Sequence, residues 1–254
     1  ASVAAESPAN TYHVPLNPAA RRQFGNGGMD GFTCCNGTAL ESGTKLQDSI
    51  YFHGADHQAL FVNLFVPSTL RWTERNLTLT QRTSYPFEQT TRLLLAGSGA
   101  FDLNVRVPHW ATRGFHVRIN GDPKQVNAIP GTYLNLGRDW KDKDTVELQM
   151  PFPFHLSRVM DQPNIASLFY GPVLLAAEES GPRSDWRPVV LDAADIKKSI
   201  AGNPQTLRFD IGGVVFRPFF KMHGRCSVYL DVRLQPGTSL GGPRSTKPSP
   251  GMTL

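Results

Sequence analysis

Two adjacent thiols, Cys34 and Cys35, stand in the stretch FTCCNGTALESGTKLQDSIYF, residues 32–52. A thiolate is both a nucleophile toward carbon and a ligand for a soft or borderline metal ion, so this pair is where the chain could do chemistry. Position decides how reactive such thiols are. Apolar or small residues at Ala39, Gly43, Leu46 and Ile50 follow the spacing of one helical face, and Gly54 supplies a stop signal. The spacing predicts one helix beginning just after the pair, with Asn36 as its N-cap and Glu41 in its early turns, where a negative charge suits the helix dipole. Unpaired N–H groups at that helix start would favour thiolate and lower the cysteine pKa, and a bound divalent cation would act in the same direction.

The remaining cysteine, Cys226 in GRCSVYL, alternates with Val228 and reads as a strand-core residue. Three cysteines, two of them adjacent, make no disulfide framework, and a vicinal bridge would close a strained ring, so free thiols or metal ligands are expected. A zinc site normally shows two separated ligand pairs, and only one pair is visible here. Among the histidines only His53 and His57 share helical spacing, and they flank Gly54, which marks them as loop residues. His109-Trp110 closes a strand; its aromatic ring either packs in the core or faces a sugar, and packing is the expectation.

The elements that must position the thiols are mostly strands. The chain has 254 residues with 40% hydrophobic, 23 Gly and 20 Pro, and its apolar runs are short, which favours strands joined by tight turns over a helical bundle. Alternating runs are Leu60 to Val66, Leu77 to Thr83, Thr91 to Leu95, Phe101 to Val107, Phe115 to Asn120, Tyr133 to Leu136 and Thr145 to Met150. Asn120-Gly121 supplies a hairpin-type turn, and the whole reads as an antiparallel β-sandwich. Further on, Ala166 to Ala177 reads as a buried strand pair or a strand with a Gly-Pro break. Residues 192–200 read as a short surface helix, and Val214 to Met222 and Cys226 to Leu234 as strands.

Net charge is +5, but Arg and Lys are scattered without a basic run, so a nucleic-acid partner is not expected. No apolar stretch approaches the roughly 20 residues needed to cross a bilayer, and ASVAAESPAN lacks the pattern of a signal peptide. Cytoplasmic and secreted locations both stay open. Residues 17–32, NPAARRQFGNGGMDGF, read as an exposed or partner-dependent loop.

The motif TCCNGT with KLQDSIYF, followed by LFVNLFVPSTLRW, resembles family 127 of the glycoside hydrolases and its relatives, including family 146. The resemblance continues through TTRLLLA, FDLNVRVPHWA, the ING turn at 119–121, PGTYLNLGRDWKDKDTVELQMPF and YGPVLLAAE at 170–178, and again in LRFDIGGVVFRPFFKMHGRCSVYL. It implies a mainly β fold, with β-sandwich domains preceded by a short helical remnant of an (α/α)6 barrel. On that reading residues 1–58 are the end of the barrel with the cysteine pair, and 59–155 the sandwich. Residues 156–236 are then a second sandwich or the completion of the first, and 237–254 a disordered tail.

The resemblance further implies a retaining β-L-arabinofuranosidase acting on plant or glycoprotein arabinosides. Cys34 would be its nucleophile, Cys34 and Cys35 would both ligate zinc, and the other ligands and the acid/base Glu would lie upstream of this chain. Neither Glu6 nor Asp30, the carboxylates before Cys34, sits in a matching motif. The partners it implies are a carbohydrate substrate, the missing barrel segment and a second copy through a β-sandwich. The competing reading is a non-catalytic sandwich for carbohydrate binding or dimerisation; a third, a structural zinc module, lacks four visible ligands.

Overall fold

The computed structural model describes residues 11–25 and 33–237. Two sheets pack face to face around residues 51–149. One joins Tyr51–His53, Ala59–Val62, Gly99–Arg106 and Arg138–Trp140 in that order, with Tyr133–Asn135 also on Gly99–Arg106. The other runs Ser68–Trp72, Leu77–Thr83, Thr90–Ala96, Thr145–Gln149, His116–Ile119 and Asp122–Lys124. Alternation explains which face turns inward: Phe101, Leu103 and Val105 are buried while Asp102 between them is exposed, and Val146 and Leu148 repeat the pattern. Trp72 of one sheet meets Phe101 of the other edge to face, with ring centroids 5.5 Å apart, and Phe101 in turn lies on Trp140 at 5.8 Å. Each fully buried side chain in this layer stabilises the fold by about 1.5–3 kcal/mol.

Residues 154–235 build a third sheet, ordered Arg187–Asp192, Tyr229–Gln235, Gln162–Tyr170, Val173–Glu178, Val214–Pro218, Arg208–Ile211 and Ala201–Asn203. Phe154–Val159 pairs with Gln162–Tyr170, and Cys226–Ser227 with Val173–Glu178. Its inner face shares one core with the sandwich through Trp110, Phe152, Tyr170 and Phe209, whose rings follow one another at 5.1–5.5 Å. Gln89 ties the two parts: its amide nitrogen donates to the Tyr170 hydroxyl at 3.1 Å, and its oxygen accepts from Phe152 N at 3.3 Å.

All seven alternating runs of residues 60–150 contain strands, and Asn120 and Gly121 both have positive φ, 55° and 86°, as a type I′ hairpin turn requires. Two strand pairs depart from the antiparallel expectation. Ala59–Val62 runs parallel to Gly99–Arg106, and Arg187–Asp192 parallel to Tyr229–Gln235. Both are joined by long connections that carry other strands, which is what a parallel pair needs. The short segment at 192–200 is a single 3-10 turn, Ile196–Ser199, capped by the Asp195 carboxylate accepting from Lys197 N. Residues 238–254 lie outside the described residues.

The segment at 17–25 is not the exposed loop its composition suggests. Ala19 is 1% and Arg22 5% exposed, and Ala20 forms an antiparallel bridge with Cys226. Cys226 N donates to Ala20 O at 3.0 Å, Ala19 N donates to Ser227 Oγ at 3.0 Å, and Arg225 Nη1 donates to Ala19 O at 3.1 Å. This strap explains the burial of Cys226, the core residue the alternation with Val228 predicts.

Gly171 turns the chain between Gln162–Tyr170 and Val173–Glu178 with φ +52°, and a Cβ there would come within 2.5 Å of the Phe152 ring. Gly171→Ala is therefore expected to lower unfolding free energy by about 1–3 kcal/mol, the usual cost of overpacking. Urea titration measures it, and an unchanged midpoint would show that Phe152 yields freely.

Candidate functional site

The helix α1 spans Cys34–Lys45 and continues into the 3-10 turn Leu46–Ser49. It starts earlier than the apolar spacing indicates, so both cysteines lie inside its first turn. The reason is local: Thr33 N and Thr33 Oγ1 each donate to Asn36 Oδ1 at 2.9 Å, so Asn36 reaches back from the third helical position as the Glu of a capping box does. Asn36 is thus not the N-cap. Glu41 falls in the later half of the helix, where it pairs with Lys45 one turn on and does not face the positive end.

No described residue of α1 is buried, so its stability comes from its cap, its local pairs and the bond from Cys35 to Tyr12, a marginal situation for twelve residues. Cys34 is exposed, Cys35 half-buried and Cys226 buried, and all three are free thiols. Cys35 Sγ donates to Tyr12 O at 2.8 Å. Loss of solvent contact pushes the Cys35 thiol up, and the hydrogen bond and charge of the neighbouring Cys34 push in the same direction, against a smaller opposing bond from Thr33. This reverses, for Cys35, the depression anticipated from the helix start. A cation bound to both sulfurs would favour their thiolate forms.

Such a cation needs more ligands than these. No group of three or more His, Cys, Asp or Glu side chains placed to hold a metal occurs among the described residues. Glu6 and Asp30 lie outside the described residues. Two thiols do not by themselves fit a tetrahedral zinc site. His53 and His57 stack on each other at 4.8 Å, His53 also lies along Trp72 at 6.4 Å, and His53 Nδ1 sits 2.9 Å from Gly54 O. His57 lies in the turn after Gly54, as expected, whereas His53 is not a loop residue but the last residue of the strand Tyr51–His53, paired with Leu60.

Trp110 is buried against Phe152 and packs in the core as expected, while one edge of it lines the cleft beside it. Its neighbour His109 lines a cleft of about 450 Å³ between the sandwich and the third sheet, with Asn63, Tyr85, Arg106, His155 and Ser157. Spacing could not reveal this cleft, because the strands that meet there are far apart in the chain. Burial holds the His155 imidazole below its ordinary value, and His109 adds to the effect against a backbone hydrogen bond at Pro153. No carboxylate lines the cleft, so it holds no acid/base pair of the kind that cleaves glycosides.

Residues 59–152, the sandwich just described, match the family model for the β-L-arabinofuranosidase GH127 middle domain. This segment is similar to a GH127 middle domain. The solved structures similar to the chain agree in fold. One described as a glycoside hydrolase superposes with a TM-score of 0.68 at 23% identity, covering 88% of this chain and 44% of that one. The GH127 β-L-arabinofuranosidase Ara127N-Se from Geobacillus stearothermophilus T6 gives 0.64 at 23% identity, covering 79% and 37%. The GH127 β-arabinofuranosidase BT3674 gives 0.70 at 18% identity, covering 91% and 43%. The chain therefore spans less than half the length of each of these structures. No curated protein matches it. The cysteine helix lies outside the matched segment and before it, joined to it through Tyr51–His53, which pairs with Ala59–Val62 at the start of that segment.

Proposed function

We propose that the chain is the cysteine-bearing portion of a retaining, zinc- and cysteine-dependent glycoside hydrolase that releases β-L-arabinofuranose from plant or glycoprotein arabinosides. The observation that carries this reading is a pair of free thiols, Cys34 exposed and Cys35 half-buried, in the first turn of a helix that lies just before a segment matching the GH127 middle domain. Cys34, the more exposed of the two, would attack the anomeric carbon as thiolate. The C–S bond would form as the glycosidic C–O bond breaks, with the electron pair leaving on the aglycone oxygen. Water would then displace sulfur at the same carbon, and two inversions give retention.

The proton for the leaving oxygen must come from a general acid, and the carboxylate suited to it would be supplied by the segment that precedes this chain. Cys34 and Cys35 would contribute two thiolates to a zinc site, which when complete keeps the sulfur deprotonated; the other ligands would likewise come from outside the described residues. The chain by itself is accordingly expected to be inactive.

The test is hydrolysis of a chromogenic β-L-arabinofuranoside by the chain alone and by the chain combined with the barrel segment, with metal content measured on the same preparations. Turnover and bound zinc are expected only in the combined protein, and Cys34→Ala is expected to cut turnover by at least about 10³-fold, the scale of losing a catalytic nucleophile. Full activity in Cys34→Ala would remove the nucleophile assignment. Zinc retained after Cys34→Ala and Cys35→Ala together would remove the ligand assignment.

A further inference from the structure

The arginines that look scattered along the chain are gathered by the six-stranded sheet onto its outward face. Arg82 stands directly opposite Arg92, Arg92 opposite Glu147, and Glu147 opposite Arg118. The row crosses four strands, a span of about 14 Å at the usual strand spacing. Next to it lies the cross-strand row Thr69, Thr80, Leu94 and Thr145, and beyond that Arg71 opposite Thr78. Glu147 is taken by Arg92, whose Nε lies 2.8 Å from its carboxylate. Among the described residues no carboxylate forms an ion pair with Arg71, Arg82 or Arg118.

Like charges directly opposite each other on adjacent strands repel, and Glu147 already offsets Arg92, which leaves the charges of Arg82 and Arg118 on either side of that pair without a carboxylate partner among the described residues. A shallow depression of about 670 Å³ follows the row, lined by Arg82, Thr90, Arg92, Arg118, Glu147 and Gln149.

We propose that this face binds a carboxylate-bearing polysaccharide, a polyuronate. Guanidinium groups present paired donors that match carboxylates, while the threonine hydroxyls, Gln149 and Glu147 offer the donors and acceptors that sugar hydroxyls need. A nucleic acid fits less well on two counts. Glu147 interrupts the row where a phosphate track would be continuous, and the face carries no Phe, Tyr or Trp on which bases could stack. The proposal needs neither thiol and stands independently of the hydrolase reading.

Binding of polygalacturonate to the 254-residue chain, measured by calorimetry, tests it, with neutral arabinan and oligo-thymidylate as the other probes. Polygalacturonate is expected to bind at about 50 mM salt and to weaken as salt screens the face. The double variant Arg82→Gln/Arg118→Gln should lose at least about tenfold in affinity, the effect of removing charge-assisted hydrogen bonds. Arg208→Gln, an exposed change on the third sheet, should lose nothing. Equal loss in Arg208→Gln, equal binding of neutral arabinan, tighter binding of oligo-thymidylate, or no binding of polygalacturonate would each overturn the proposal. The substituted side chains are on the solvent face, and circular dichroism with a urea midpoint verifies that the variants fold.

Discussion

Glu179→Ala is expected to lower the unfolding free energy by about 3–5 kcal/mol, the range for removing one partner of a buried ion pair. The Glu179 side chain is 2% exposed and that of Arg187 18%; Arg187 Nε donates to Glu179 Oε1 at 2.6 Å, and Arg187 Nη2 makes a second bond to Oε2. Ser227 Oγ donates to Oε1 at 2.7 Å while accepting from Ala19 N, so the same carboxylate anchors the residues that hold the strap. Without it the largely buried Arg187 guanidinium loses the carboxylate it pairs with.

The pH dependence follows. Burial alone would push the Glu179 carboxyl up, but hydrogen bonds from Arg187 and Ser227 and the charges of Arg187 and Arg183 outweigh it and hold it below the ordinary carboxylate range. A folded-state value below the unfolded one means that its stabilisation is fully present above the unfolded value, near about 4.3. It is lost as pH falls through the depressed folded value. Urea midpoints taken between neutral and acid pH measure this. Glu179→Gln keeps the shape and removes the titration, so its midpoint should fall less steeply on the acid side than that of the unsubstituted chain; identical slopes would locate the acid sensitivity elsewhere.

Trp140→Ala should cost a similar amount, about 3–5 kcal/mol. Its side chain is fully buried, its indole N–H donates to Phe101 O at 3.1 Å, and its ring lies against Phe101 on one side and under the Arg138 guanidinium, 5.1 Å from the centroid. Alanine would open a cavity between the two sheets and leave a buried carbonyl with one partner fewer. Trp140→Phe should recover most of the packing and lose the hydrogen bond, roughly 1 kcal/mol, before any cost of reduced volume. A loss under about 1 kcal/mol for the alanine change would mean that the sheets close over the gap.

Two-residue periodicity carries most of the sandwich: Phe101 and Leu103 flank an exposed Asp102, and Val146 and Leu148 flank a half-buried Glu147, while Asn104, buried between Leu103 and Val105, breaks the pattern. Strands with little alternation to offer, such as Asp122–Lys124, whose three residues are all exposed, exist through hydrogen bonding to a neighbour and leave no hydrophobic trace. Parallel pairing is invisible for a related reason: side-chain period is the same whichever way the partner runs.

At the cysteine pair, the residue types and the nearby helix are legible in the sequence. The shift of the helix start to Cys34 is set by Asn36 reaching back to Thr33, and the direction of the Cys35 titration by its neighbours in space. The arginine row is the extreme case, since Arg82, Arg92 and Arg118 become neighbours only through strand register.

The bridge between Ala20 and Cys226 also bears on how the molecule is made. A ribosome releases the sandwich strands long before residue 226 emerges, so the sandwich can form during synthesis while the strap waits for the end of the chain. The segment around Ala20 gains this contact only once Cys226 has been made. A nascent chain stalled before Cys226 would therefore carry Ala20 without its bridge, its cysteine helix joined to the sandwich strands through Tyr51–His53.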